Sequence, residues 1–102
     1  MKIITYKRKK YEIRKSRYRD NNSLALLMYH NNELYTVMTK NLISSFLCDD
    51  DCQYIDTNNN PELPDLLKKT KLGVPLGFKE RSGFCEYPLY KFDLTDVEED
   101  EE

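Results

Sequence analysis

The chain has 102 residues, 39% of them apolar and 33% charged, with a formal net charge of −2. That length holds one domain with one modest core, and eight Tyr and four Phe argue against wholesale disorder. No apolar run reaches the ~18 residues of a membrane span, and three cysteines, an odd count, exclude a complete disulfide framework and point to a reducing cytoplasm.

The small net charge conceals an asymmetry. Residues 1–20 carry nine Lys or Arg against Glu12 and Asp20, whereas residues 93–102 carry seven carboxylates and no base. Such a chain is charge-dipolar, which bears on partners more than on fold. Strand-like residues follow the basic start where a signal peptide would place an apolar stretch, so no signal peptide is expected.

Ile3–Tyr6 and Tyr11–Ile13 have high β-propensity and predict a hairpin whose loop is the polar KRKK stretch. Beyond Ile13 the second strand becomes very polar, as an exposed or edge strand tolerates. Asp20–Ser23 is a loop by its turn chemistry. SLALLMYH and ELYTVMTKNL predict two further strands joined by Asn31-Asn32, a pair suited to a type I′ turn. That turn sets His30 opposite Glu33. It places Leu24, Leu26 and Met28 with Tyr35 and Val37 on one face, and Ala25, Leu27 and Tyr29 with Leu34 and Met38 on the other. Both faces are apolar, so the second needs a cover, either the C-terminal segment or a second copy of the chain.

Gln53–Ile55 predicts a short strand. Asn60 is placed to cap a helix with Pro61 at its first position, although Pro64 offers a later start. Leu63, Leu66, Leu67 and Leu72 form its apolar stripe, about three turns long, and Gly73 with Pro75 ends it. Leu76–Phe78 is extended. Ser82-Gly83 makes a turn or bulge, and FCEYPLYKF is the last strand, where Pro88 points to an edge or a bulge. The prediction is an α+β fold: an antiparallel sheet of four to five strands with one short helix on one face, spanning residues 1–93, followed by a disordered acidic tail over 94–102.

Within Asp56–Asp93 the words DTNNNP, LGVPLG and SGFCEYPLYKFD are specific. Over these 38 or so residues, and in the ITYKRKKYEI opening, the chain resembles a family of small bacterial proteins of unknown function. That family occurs largely in gut anaerobes and Gram-positive bacteria, often on conjugative elements and prophages. The resemblance implies a genomic setting and no activity, cofactor or catalytic residue. Its members often carry glycine in the first hairpin turn, where this chain has Arg8 or Lys9.

Chemistry-bearing residues are sparse. Cys48 and Cys52 are spaced C-x3-C, with Cys85 and His30 elsewhere, but a zinc site needs a fuller ligand set. The CDDDC stretch lacks the alternating ligands, glycine and distal glutamate of a calcium loop. Nothing in the spacing pairs a cysteine with His30 as nucleophile and base. No metal, cofactor or catalytic residue is therefore assigned, and a non-enzymatic protein-interaction role, accessory to a mobile element or its host, is the reading adopted. An inhibitor of a host defence system is one form of it. Its candidate surface is Asp56, Asn58, Asn59, Ser82, Phe84, Tyr87 and Tyr90. The alternative is nucleic-acid binding through Lys7, Arg8, Lys9, Lys10, Arg14, Arg17, Tyr18 and Arg19, in which tyrosines stack on bases and cations neutralise phosphates. The expected partner is a protein, with nucleic acid as the alternative, no membrane, and a homodimer as a further arrangement.

Overall fold

Alternating burial along the first two strands follows from the alternating side chains. The computed structural model describes residues 1–100, the side chains of 46 and 47 apart. In β1 (Lys2–Tyr6), Ile4 and Tyr6 turn inward. In β2 (Lys9–Arg17), Tyr11 and Ile13 do the same, and Ile4 stands opposite Tyr11. The expected four-residue loop is a two-residue turn. Lys7 (φ 50°) and Arg8 (φ 69°) both adopt the left-handed conformation of a type I′ turn, which matches strand twist but disfavours side chains with a Cβ.

β3 (Leu24–His30) and β4 (Glu33–Val37) complete an antiparallel meander, β1-β2-β3-β4. Asn31 (φ 52°) and Asn32 (φ 66°) form the expected turn, with His30 opposite Glu33. The expected facing of the hairpin holds only near this turn. A register shift between Met28 and Tyr29 sets Leu34 opposite Tyr29 but Thr36 opposite Met28 and Val37 opposite Leu27. The extra residue inverts the strand beyond it. Met38 therefore joins the inner face, its amide donating to the Leu26 carbonyl at 2.9 Å, and is fully buried.

Met38 is also where the chain leaves one sheet for the next. Its carbonyl accepts from the Asp56 amide, and β5 (Thr39–Lys40) pairs with β6 (Cys52–Ile55) in a second, four-stranded sheet. That sheet is ordered β5-β6-β8-β7, with β7 spanning Gly73–Ser82 and β8 Cys85–Phe92. A 3-10 turn, Ile43–Leu47, links β5 toward β6. The buried Gln53 side chain ties the layers together. Its amide donates to Ser23 Oγ and the Leu24 carbonyl, and its oxygen accepts from Ser45 Oγ and the Tyr54 amide.

Helix α1 spans Leu63–Thr70, eight residues, and begins later than an Asn60 cap implies. Asn60 and Asp56 instead build the turn before it. The Asn60 amide donates to the Asp56 carbonyl, and the Leu63 amide donates to the Asn60 carbonyl. The helix ends at Lys71, which is left-handed (φ 60°), rather than at Gly73. Gly73 opens β7, where an added Cβ would stand 3.0 Å from the Phe92 ring. Leu63, Leu66 and Leu67 pack into the core with Ile4, Ile13, Leu26, Met38, Ile55 and Phe92.

Of the two settings expected for Pro88, an edge or a bulge, the structure has the second. Pro88 lies in β8, an interior strand between β6 and β7, and stands opposite Lys79, where the ladder resumes after a register shift between Pro75 and Lys79. The expectation of a disordered acidic tail is corrected. The acidic segment 94–100 is ordered, and the remaining residues, 101–102, lie outside the described residues. Val97 is buried, and β9 (Glu98–Glu99) runs parallel to β2, with Glu98 opposite Arg14 and Glu99 opposite Lys15. Opposite charges on neighbouring strands favour that pairing, and the cover expected for the second hairpin face is in part this segment. Asp100 Oδ1 accepts from Tyr29 Oη at 3.0 Å and from Arg14 at 3.3 Å.

Candidate functional site

The strand at the end of the second sheet presents its side chains to solvent. In β7, Val74, Leu76 and Phe78 are 56%, 47% and 57% exposed. Their i, i+2, i+4 spacing would point them one way along a regular strand. The register shift spanning Leu76–Phe78 and the left-handed Gly77 (φ 77°) bend the strand here. At the tip of the β7–β8 hairpin Gly83 (φ 64°) makes the turn, and Phe84 projects fully exposed. Apolar side chains gathered on an edge strand are a recognised liability and a common binding surface.

Beside this strand, a groove of about 460 Å³ runs between α1 and β7. Pro64, Val74, Pro75 and Tyr90 line it with Lys68 and Lys71. The helix supplies Pro64 and Lys68 from exposed positions, and β8 supplies the Tyr90 ring from beneath. Burial pushes the Tyr90 phenol above its ordinary pKa.

The residues expected to form an interaction surface divide by burial. Ser82 and Phe84 are exposed at the hairpin tip, and Asn58 and Asn59 are exposed before the helix. Asp56, Tyr87 and Tyr90 are buried. Asp56 is occupied locally, its carboxylate accepting from the Asn59 amide at 3.2 Å and from Asn59 Nδ2 at 2.8 Å. Tyr87 packs with Leu42 and Tyr54 in a small second core. On β7 and the β7–β8 hairpin tip the outward apolar side chains are thus Val74, Leu76 and Phe78 in addition to Phe84. The LGVPLGF words contained them, but sequence alone gave no sign that this strand ends a sheet.

The basic residues also divide. Lys7, Arg8, Lys9 and Lys10 are exposed around the first hairpin turn. Arg14 is held within the fold. Its guanidinium donates twice to the Glu12 carboxylate, at 2.9 and 3.1 Å, contacts Asp100, and lies 4.1 Å from the centre of the Tyr29 ring. The hydrogen bonds to Glu12 raise the Arg14 pKa and lower that of Glu12. Tyr18 and Thr39 hydroxyls lie 3.0 Å apart, so this phenol is occupied within the fold. Arg17 is half-buried and Arg19 exposed at the far end of the strand. The eight positions do not form one basic patch.

The thiols are distributed likewise. Asp49, Asp51 and Cys52 are the group whose potential ligand atoms fall within 4.8 Å of one another among the described residues. The Cys52 thiol donates to Asp51 at 3.4 Å, and burial together with that bond pushes its pKa up to about 11. A thiol held protonated is a poor metal ligand and nucleophile. His30 Nδ1 donates to the Lys10 carbonyl at 3.0 Å, and its ring lies 5.3 Å from that of Tyr11. Among the described residues no helix is long and apolar enough to cross a membrane.

One family model, Domain of unknown function (DUF4313), matches residues 12–101. No curated protein and no solved structure matches the chain.

Proposed function

The chain belongs to the DUF4313 family, and from its surface we propose that it is a non-enzymatic, cytoplasmic protein-interaction module that docks a partner on β7 and the β7–β8 hairpin tip. The observation that carries this reading is the exposure of Val74, Leu76, Phe78 and Phe84 on a strand that ends its sheet. Binding energy in such faces concentrates in a few aromatic anchors, which gives Phe78 and Phe84 that role. The mobile-element setting implied by the sequence words makes proteins of the element or its host the expected partners, a defence nuclease among them.

Affinity capture from host cells tests the reading. Wild type should retain a partner that a Phe78→Ser/Phe84→Ser double variant loses, whereas a Lys7→Ala/Arg8→Ala/Lys9→Ala variant keeps it. The second reading, nucleic-acid binding, is favoured only by the exposed cations Lys7–Lys10 at the first hairpin turn. A gel shift at low salt, abolished by that triple alanine variant, would favour it over protein docking.

A further inference from the structure

The chemistry of the groove beside β7 narrows the class of partner, an inference that rests on the docking reading above. Its walls are apolar: Pro64, Val74, Pro75 and the Tyr90 ring. Among the described residues its charged lining is Lys68 and Lys71, and no carboxylate lines it. Both lysines are exposed, and neither is in an ion pair among the described residues. The helix's pair is Lys69 with Asp65, at 3.2 Å. A basic partner would be repelled, and a purely apolar one would leave the two cations unanswered.

We propose that the α1–β7 groove receives an extended acidic segment of a partner protein, with one apolar side chain seated against Val74, Pro75 and Tyr90 and carboxylates meeting Lys68 and Lys71. Peptide rather than a small carboxylate fits the extent of the surface. The apolar side chains continue past the groove to Leu76 and Phe78, along a strand of ten residues that is about 30 Å long at the usual rise. Side chains rather than a continuous backbone ladder hold the segment. Pro75 has no N–H to donate, and the shift between Pro75 and Lys79 breaks the regular edge.

The test uses the full chain and three fluorescein-labelled peptides that alternate a polar residue with phenylalanine or leucine: the polar residue is glutamate in one, glutamine in the second and lysine in the third. Fluorescence polarisation should show the glutamate peptide binding, more tightly as salt is lowered. The lysine peptide should bind at least about tenfold more weakly, since two charge contacts are lost or reversed. Lys68→Glu/Lys71→Glu, both at exposed positions, should invert that order, and Val74→Ser should weaken the glutamate peptide without changing its salt dependence. If the glutamine peptide binds as well as the glutamate one, the acidic partner is overturned while docking on β7 stands. If no peptide binds and sodium decanoate instead protects the groove's amides from exchange, both readings are overturned in favour of a small-molecule site.

Discussion

Replacing Gln53 by methionine should cost far more than its single side chain implies. The residue is fully buried and makes four hydrogen bonds that link β6 to β3 and to the 3-10 turn. Methionine fills a similar volume, so the cavity cost is small. What remains is polar. The Tyr54 amide loses its acceptor and the Leu24 carbonyl loses a donor. Each buried group left without its partner costs about 1–3 kcal/mol, giving a loss of about 2–6 kcal/mol. The Ser45 hydroxyl also loses its acceptor, but its oxygen still accepts from the Leu42 amide at 2.8 Å, which softens that part. Urea unfolding followed by tyrosine fluorescence measures it. With a slope of about 1–2 kcal/mol per molar for a small domain, the midpoint should fall by about 1–6 M. A Gln53→Met protein within about 0.5 kcal/mol of wild type would refute the idea that this amide joins the two sheets.

Other outcomes follow from the same contacts. Arg8→Gly should stabilise the protein by about 0.5–1 kcal/mol, read as a raised thermal midpoint, because glycine enters the left-handed region without the Cβ penalty. The Tyr6 phenol donates to Asp65 at 2.7 Å, and that bond pushes its pKa to about 12. Its contribution should be fully present below pH 10 and lost between pH 10 and 12, and Tyr6→Phe should remove this alkaline limb from a stability profile. The same bond lowers the Asp65 pKa, so the acid limb should also shrink in Tyr6→Phe as pH falls below about 4. Asp100→Asn weakens the anchor on Arg14 and Tyr29, so amide exchange at Glu98 and Glu99 should accelerate while the β3 amides are unaffected.

Local features were legible where local chemistry decides. The Asn31-Asn32 turn, the two strands at Ile3–Tyr6 and Tyr11–Ile13, and the leucine stripe of α1 follow from propensity and spacing. The α+β fold class follows from them in turn. The second sheet was not legible, because it is assembled from a two-residue strand, a four-residue strand and a hairpin far apart in sequence. The inversion at Met38 depends on one bulged residue that no composition marks. The ordered path of 94–100 was hidden by its acidity. The six carboxylates of 94–102 read as a solvated tail, yet Val97 and the cations of β2 give the segment somewhere to go. The candidate site was half legible: Phe84 stands out after Gly83, but which strand ends a sheet is a long-range fact, and only that fact turns Val74, Leu76 and Phe78 outward.

Site-specific photocrosslinking in host cells reads directly whether a partner docks on β7 and the β7–β8 hairpin tip. With a benzophenone side chain in place of Phe78 or Phe84, one shared crosslinked protein partner is expected. The same group in place of Ile3 or Tyr35, exposed on the other sheet, should give none. A partner captured from Ile3 or Tyr35 and not from Phe78 or Phe84 would contradict docking there.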